Sequence, residues 1–326
     1  MKRGRLVLAT VLAGLVVFLG IPGLTGAEVL KLGNSYPPDH PSNVGAKKMA
    51  EIVAAKTQGK LTIELYPNGQ LGSDKDNVEG TIMGTQDMVL IGSGGISQFS
   101  PRLGIGECPY IWRDIDHMNK VMDGPVGEEM REELLKGRGL RILTTFYYGR
   151  RHLTANKPIN KPEEMKGFKL RTPQVPVILE MAKSWGANPT PLNIGELYLA
   201  LKTGVVDGQE NPIPTIDAFK FYEAQKFIML TGHIITPLPL IINERSWRQL
   251  SPEYQKIVMA AALEARELNN KLTLSQEATL LENFKKAGMT VIQPDVEAFK
   301  RASGGAREKL EGVWGKGLYE KIVDIK

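Results

Sequence analysis

Cysteine is almost absent from this chain of 326 residues, which has a single one, Cys108. One cysteine cannot form an internal disulfide, so the packing of apolar side chains must hold the fold together. A nucleophilic cysteine needs a nearby base and an exposed, electropositive setting. Cys108 instead follows an acidic residue and precedes the apolar segment Tyr110-Ile111-Trp112, which predicts a buried and unreactive thiol.

Recognisable catalytic and metal-binding motifs are missing as well. The histidines His40, His117, His152 and His233 show no metal-ligand spacing with one another or with a cysteine pair. The segment Gly92-Ser93-Gly94-Gly95 lacks the GK[ST] ending of a phosphate-binding loop and matches neither GxGxxG nor GxSxG. The sequence therefore predicts no catalytic residue, no metal and no cofactor. The glycines indicate a turn at a strand end, either purely structural or with backbone N–H groups that meet a ligand.

The first 27 residues differ from the rest. Lys2, Arg3 and Arg5 precede an apolar run from Leu6 to Leu24, and the small residues Thr25-Gly26-Ala27 follow. This order is typical of a cleaved secretory signal peptide. The alternative is a single membrane anchor, since about 19 apolar residues can just span a bilayer.

Little basic charge remains without this segment. Removing its three basic residues lowers the formal net charge from +5 to +2. The remaining Lys and Arg are interleaved with Asp and Glu, so no nucleic-acid-binding surface is predicted.

Strand-like and helix-like segments alternate along the remaining chain, which is long enough for two cored lobes. Val29–Gly33, Met88–Ile91 and Leu140–Phe146 have the apolar character of strands, and Ser42–Thr57 that of an intervening helix. This alternation predicts an α/β fold with mainly parallel sheets.

One helix is predicted to be much longer than the others. Ser251 is a good N-cap, Pro252 suits the first helical position, and no Gly or Pro follows until Gly288. The span predicts about 36 helical residues, or about 54 Å. Such a helix either braces two lobes or breaks near Asn269-Asn270.

Cationic residues stand where two predicted strands end. Arg150-Arg151 follows one apolar strand, and Arg171 ends another just before Thr172-Pro173. Arginine presents a rigid fork of donors that matches a carboxylate, and ligands of open α/β sheets lie at the carboxyl ends of strands. The alternative is that these arginines are solvated surface residues. Further on, Gly208-Gln209-Glu210-Asn211-Pro212 is either a polar ligand-binding turn or an ordinary polar loop.

Several segments together resemble one family, the DctP-type solute-binding subunits of tripartite ATP-independent periplasmic (TRAP) transporters. The matching segments follow the family order: His40-Pro41, Tyr66-Pro67-Asn68-Gly69-Gln70-Leu71-Gly72, Gly149-Arg150-Arg151, Thr154-Ala155-Asn156, Met165–Pro173, Gly186–Pro191 and Glu196–Pro212. They extend across essentially the whole chain after the signal peptide.

The resemblance implies roles for particular residues. Arg171 occupies the position of the arginine that pairs with the ligand carboxylate, and Arg151 and Asn211 would assist it in the cleft. Ile194 falls where the sialic-acid branch commonly has an aromatic residue, and Gly92 where that branch has an acidic one. Both departures argue against sialate as the ligand.

The remaining ligand contacts are less specific. Gln209, Asn34 and Ser35 could serve ligand hydroxyls or a second carboxylate equally well. The branch that binds its ligand through a metal typically has Trp after the turn, where this chain has Asn211-Pro212, so no metal is expected.

The fold implied is a two-lobed α/β periplasmic-binding-protein-like fold with the long helix bracing both lobes. The first lobe is predicted to comprise residues 28–148 and 237–276, and the second lobe residues 149–236 and 277–326, after a signal peptide of residues 1–27.

The implied function is capture of a small organic carboxylate, a C4-dicarboxylate or a sugar acid, in the periplasm and its delivery to membrane permease subunits. The alternative is an extracytoplasmic ligand-sensing input to a receptor kinase, which would share every cleft residue. A secreted enzyme is disfavoured because the sequence offers neither a nucleophile–base pair nor a metal set.

Overall fold

The computed structural model describes residues 27–326, so the predicted signal peptide lies, apart from Ala27, outside the described residues. The strands are β1 (Glu28–Gly33), β2 (Leu61–Tyr66), β3 (Met88–Leu90), β4 (Leu140–Ala155), β5 (Lys169–Thr172), β6 (Asn188–Pro191), β7 (Gly208–Pro212), β8 (Phe227–Asn243) and β9 (Thr290–Ile292). The α-helices are α1 (Pro41–Lys56), α2 (Asp74–Met83), α3 (Ser93–Ile96), α4 (Ile115–Asp123), α5 (Pro125–Arg138), α6 (Pro176–Ser184), α7 (Ile194–Thr203), α8 (Ile213–Ala218), α9 (Glu244–Gln249), α10 (Pro252–Lys286), α11 (Val296–Ala302), α12 (Gly304–Trp314) and α13 (Leu318–Val323). Short 3-10 helices cover Pro101–Glu107, Pro162–Met165 and Phe221–Glu223.

Two long antiparallel strands, β4 and β8, form the middle of a single sheet ordered β2-β1-β3-β8-β4-β7-β5-β6, with β9 pairing to β8. On one side, β1 pairs in parallel with β2 and β3; on the other, β5 pairs in parallel with β6 and β7. The predicted α/β architecture is confirmed. We call β2-β1-β3 and β7-β5-β6 the first and second halves of the sheet.

The ladder between β4 and β8 is interrupted near its centre. Its register shifts between Tyr147 and Gly149 and again between Arg151 and Leu153. Gly149 has a φ of 132°, and a Cβ there would approach Cβ of Pro212 to 2.6 Å, so only glycine fits the turn of the chain. Bulges re-aim side chains, and these two flank the arginine predicted to contact ligand.

Helix α10 is continuous over 35 residues and contacts both α1 and β4. The Ser251 hydroxyl caps it by accepting from the backbone N of Tyr254 at 3.1 Å. The long helix is therefore confirmed, and it does not break at Asn269-Asn270. These asparagines bind the interrupted part of β4 instead: Asn270 Oδ1 accepts from Tyr147 N, and Asn269 Nδ2 donates to Tyr147 O, both at 2.8 Å.

Apolar side chains pack on both faces of the sheet, because alternate residues of β3 enter different cores: Val89 enters one, and Met88 and Leu90 enter another. One core joins β1, β2, β3, α1 and the first half of α10, and another joins α7, α8 and Phe284 near the end of α10. The helix thus leaves one core and enters the other. The C-terminal segment from α11 to α13 contacts two distant parts of the chain. Ser303, between α11 and α12, accepts from Trp185 Nε1 at 2.9 Å, and the Val323 carbonyl in α13 accepts from Arg113 Nη1 at 2.9 Å.

Candidate ligand-binding cavity

A cavity lies where the two halves of the sheet meet at β4 and β8. It contains about 470 Å³ of space not filled by atoms, part of it open to solvent. Its lining comes from both halves: Tyr36, Asp74, Ile91, Gly92, Gly95, Glu107, Tyr148, Arg151, Arg171, Pro173, Val175, Ile194, Asn211 and Thr236. Charges of both signs therefore face one small space.

Arg151, in β4, is held by a buried ion pair. Its Nε donates to Oε2 of Glu210 at 2.5 Å, and its Nη2 donates to Oε1 at 2.7 Å. His233 Nε2 lies 3.0 Å from the same Oε2, and none of the three side chains is more than 5% exposed. Burial raises the pKa of Glu210, but the charge and hydrogen bonds of Arg151, assisted by His233, outweigh it and lower the pKa to about 2. The positive charge of Arg151 is thus balanced within the protein.

Arg171, near the end of β5, is buried without such a partner. Its Nε and Nη2 donate to the backbone oxygen of Leu192 at 3.0 and 2.6 Å, and the residue is 3% exposed. Within residues 27–326, Arg171 takes part in no ion pair with an Asp or Glu side chain. Burial lowers its pKa to about 10, so it keeps its proton at neutral pH. A buried cation without a counterion attracts an anion.

Both guanidinium groups are held in a similar way. Each is bonded along its Nε–Nη2 edge, Arg151 to Glu210 and Arg171 to Leu192. No hydrogen bond between described residues uses Nη1 of either arginine, and both side chains line the cavity. Nη1 of both arginines and the second N–H of Arg171 Nη2 therefore remain available to an oxygen anion, whereas Nη2 of Arg151 already donates to Glu210 and Asn211.

Asn211, in β7, lines the cavity beside Arg151. Its Oδ1 accepts from Arg151 Nη2 at 3.3 Å, and its Nδ2 donates to Oε1 of Gln209 at 2.6 Å. Gln209 is fully buried, does not line the cavity, and donates in turn to the Thr154 hydroxyl at 2.9 Å. The structure therefore places Gln209 behind Asn211, where it orients the amide.

Ser35 stands at the margin of the site. Its hydroxyl donates to Asp74 Oδ1 at 2.6 Å, and it lines an adjoining pocket together with Asp74 and Ile194. Asp74 lines both spaces. Burial raises the pKa of Asp74, while the Ser35 hydrogen bond and the charge of Arg171 act in the opposite direction.

Glu107 occupies the space that the glycine-rich segment leaves open. A Cβ on Gly92 would lie 2.7 Å from Glu107 Oε1, and one on Gly94 would lie 2.5 Å from Oε2. The Gly94 backbone N donates to Oε1 at 3.1 Å, and Glu107 is 3% exposed. Burial raises the pKa of its carboxyl, opposed by the charge of Arg151 and the Gly94 hydrogen bond.

The sequence-predicted residues Arg151, Arg171, Asn211, Gly92 and Ile194 are brought together in the lining. Among the polar residues of the lining, sequence reasoning missed five: Tyr36, Asp74, Glu107, Tyr148 and Thr236. Glu107 appeared only as the acidic neighbour of Cys108, which is itself buried and has a pKa raised by burial to about 12. Isolated carboxylates and hydroxyls carry no local pattern, so only the fold reveals that they share a cavity.

Within residues 27–326, no group of three or more His, Cys, Asp or Glu is arranged to hold a metal ion. In the same range, no helix has both the length and the apolar character needed to cross a membrane. The sheet has two parallel halves, a charged cavity where they meet and a buried cation that faces the cavity. This arrangement is typical of proteins that bind small solutes.

Comparisons with known proteins identify the family. The profile of the bacterial extracellular solute-binding proteins, family 7 (DctP), matches residues 32–311. The chain is 34% identical over 300 residues to the sialic acid-binding periplasmic protein SiaP of Vibrio cholerae, covering 92% of this chain and 94% of that protein. It is 33% identical over 306 residues to the 2,3-diketo-L-gulonate-binding periplasmic protein of Escherichia coli, covering 93% and 92%.

A solved structure shows the same fold. A TRAP periplasmic solute-binding protein of Polaromonas, bound to D-erythronate, superimposes with a TM-score of 0.87 at 34% identity, covering 92% of this chain and 99% of that one. The chain therefore belongs to family 7 of the bacterial extracellular solute-binding proteins, the DctP family of TRAP solute-binding subunits. Members of this family bind solutes and are not enzymes.

Proposed function

We propose that this protein captures a small organic carboxylate in the periplasm and presents it to the permease subunits of a TRAP transporter. The observation that carries the proposal is Arg171, a buried guanidinium in the cavity lining with no carboxylate partner among the described residues. A ligand carboxylate supplies the missing counterion. The relatives support the same chemistry, since they are described as binding sialic acid, 2,3-diketo-L-gulonate and D-erythronate.

Capture requires the cavity to open. We propose two lobes, residues 28–148 with 237–276 and residues 149–236 with 277–326, which move about the interrupted centre of β4 and β8. His40, the N-cap residue of α1, and Thr215 in α8 form a contact that opening would break, with Nε2 and Oγ1 3.2 Å apart. Closure removes water from the ion pair at Arg171 and thereby strengthens it.

The site proposed to bind the ligand consists of Arg171, Arg151, Asn211, Gly92 and Ile194 in the lining, with Ser35 at the margin and Gln209 behind. Arg171 binds the carboxylate end-on. Arg151 and Asn211 contact a neighbouring oxygen of the ligand. Ile194 supplies an apolar surface.

A thermal-shift screen of the protein purified from the host periplasm against organic acids tests the proposal. A ligand at one hundred times its Kd stabilises the folded state by about 2.7 kcal/mol, which gives a clear shift in melting temperature. We expect at least one small carboxylate to stabilise the wild type and not Arg171→Ala. Stabilisation by no organic acid would contradict the proposal.

Export and delivery have tests of their own. N-terminal sequencing of the periplasmic protein should begin at Glu28, and a membrane-bound product that retains Met1 would contradict export. Vesicles that contain the reconstituted permease subunits should take up the ligand only when this protein and an ion gradient are both present. Binding to a receptor kinase with no effect on uptake would instead favour a sensory role.

A further inference from the structure

The proposed function leaves open what the ligand carries besides its carboxylate. Asp74 and Glu107 are the acidic residues of the lining, and Arg151 and Arg171 are the basic ones. Arg151 is already neutralised by Glu210. The cavity therefore contains one cation without a carboxylate partner, Arg171, and two carboxylates, those of Asp74 and Glu107. A ligand with two negative charges finds a favourable partner for only one of them.

Glu107 is one of the two acidic residues of the lining. It ends the 3-10 helix Pro101–Glu107 and is 3% exposed, yet its only hydrogen bond to another described residue is the one that Oε1 accepts from Gly94 N. Oε2 has none in the part of the chain that the structure describes. A buried carboxylate normally accepts several hydrogen bonds, so this oxygen can accept one from water or from a bound molecule.

The glycine-rich segment explains why this carboxylate lies in the cavity. Side chains at Gly92 and Gly94 would come within 2.7 and 2.5 Å of the two carboxylate oxygens, and Gly95 contributes no side chain to the lining. The charges that act on Glu107 include Arg151, Glu210 and Asp74. Those that act on Asp74 include Arg171. Glu107 and Asp74 thus both act on the charges of the one cavity that they line together with Arg151 and Arg171.

Resting on the proposed function, we propose that Glu107 determines specificity: it accepts hydrogen bonds from the hydroxyls of a ligand whose carboxylate is bound by Arg171, and it repels a second carboxylate in the same cavity. The protein then selects hydroxylated monocarboxylates and rejects dicarboxylates of the same length. Rejection by an unpaired like charge is a common means of specificity, because the wrong ligand must bury a repulsion that the right one avoids.

Matched acids test this by calorimetry. D-Erythronate and meso-tartrate differ only in a terminal hydroxymethyl or carboxylate group, and D-galactonate and galactarate form the same pair at six carbons. We expect the monocarboxylate of the better-fitting pair to bind the wild type more than about tenfold tighter, equivalent to about 1.4 kcal/mol. 4-Aminobutyrate places an ammonium at the far end, and tighter binding of it than of D-erythronate would overturn the assignment of hydroxyl donors.

Variants assign the preference to Glu107. Glu107→Gln keeps the size and removes the charge, so the preference should fall to within about threefold. Gly92→Ala, which would push the carboxylate away, should act in the same direction. Glu244→Gln serves as a control, because it removes a carboxylate paired with Arg141 outside the cavity, and it should leave the preference unchanged.

The outcomes separate this inference from the proposed function. If acids bind and Arg171→Ala abolishes their binding, but Glu107→Gln keeps the wild-type preference, only the role of Glu107 is overturned. Equal or tighter binding of the dicarboxylate by the wild type overturns it without any variant. If none of the acids stabilises the wild type, both the proposed function and this inference fail. Melting of each variant without ligand verifies that it folds.

Discussion

Arg151 and Arg171 lie in neighbouring parts of one sheet, line the same cavity and are 4% and 3% exposed, yet their electrostatic surroundings are opposite. Around Arg151, Glu210 supplies a full counter-charge through two short hydrogen bonds, and His233 fixes that carboxylate from the other side. Around Arg171, a backbone carbonyl orients the guanidinium without neutralising it. The protein completes one region by itself and leaves the other to be completed by a ligand.

The difference separates two tasks that a pair of cleft arginines can share. A neutralised and rigidly held Arg151 stabilises the fold and presents donors in a fixed direction. An unbalanced Arg171 contributes a net charge to the cavity, which a carboxylate satisfies. Removing each arginine should therefore have a different consequence. Measurements of stability and affinity on the same variants test this difference.

The largest effect is expected on stability from Arg151→Ala. This change leaves the Glu210 carboxylate buried with only His233 beside it, so the free energy of unfolding without ligand should fall by about 3–5 kcal/mol. Urea denaturation measures it. Arg141→Ala is the matched control, since its pair with Glu244 is one-third exposed on the arginine side and should contribute about 1 kcal/mol or less. A loss below about 1 kcal/mol for Arg151→Ala would remove the distinction between the two arginines.

The next effect is on affinity, from Arg171→Ala. A ligand carboxylate would be buried without its counterion, which should weaken binding by about 2–5 kcal/mol, or roughly 30- to 4,000-fold. Unfolding without ligand should change by less than about 1 kcal/mol, because no internal ion pair is broken. Arg171→Lys keeps the charge but loses the planar fork and should remain clearly impaired. Calorimetry with the identified acid decides, and binding within about threefold of wild type would place the carboxylate elsewhere.

Acid should reveal the ion pair of the Arg151 region. The pKa of Glu210 is about 2 in the folded protein, against an ordinary value of 4.5. Because the folded pKa is depressed, the stability gained from this carboxylate is present above pH 4.5 and is lost as the pH falls toward 2. The difference in unfolding free energy between wild type and Glu210→Gln should therefore shrink between about pH 5 and pH 3. A difference that stays constant from pH 5 to pH 3 would show that Arg151 does not hold this carboxylate ionised in the folded protein.

Much of the fold could be predicted from sequence because its signals are local. Ser251 and Pro252 mark the start of α10, and the absence of Gly and Pro up to Gly288 marks its extent. Strand β5 ends at Thr172, just before Pro173, as its sequence indicates. The segment Gly208–Pro212, which is predicted from sequence to be a turn or loop, is instead strand β7. From sequence alone, Asn269-Asn270 could either break α10 or lie within it, because asparagine is a weak helix former. The structure shows that they lie within the helix and bind the interrupted strand β4.

The site could be predicted only in part, because proximity across the fold leaves no local trace. Arg151 and Arg171 look equivalent in sequence, each cationic and at a strand end. Their difference depends on Glu210 in β7, which lies beside β4 and which the sequence showed only as one polar residue of a turn. Glu107 was hidden for the same reason, since its contact with Gly92 and Gly94 joins segments that are separate in the chain.

The smallest effect tests whether the Arg151 region also contacts the ligand. Thr236 in β8 pairs with Gly149 and lines the cavity, yet its buried hydroxyl has no hydrogen-bond partner among the described residues. A ligand oxygen would supply one. Thr236→Val keeps the shape and removes the hydroxyl, so affinity should fall by about 1 kcal/mol, or roughly fivefold.

Stability without ligand should meanwhile stay constant or rise slightly, because an unsatisfied buried hydroxyl is replaced by a methyl group. Thr172→Val is the matched control. Its hydroxyl is equally buried and unpartnered but does not line the cavity, so affinity should not change. Equal affinities for wild type and Thr236→Val would show that Thr236 does not contact the ligand. A loss of affinity for Thr236→Val but not for Thr172→Val would show that the Thr236 hydroxyl, beside the internally neutralised Arg151, contacts the ligand.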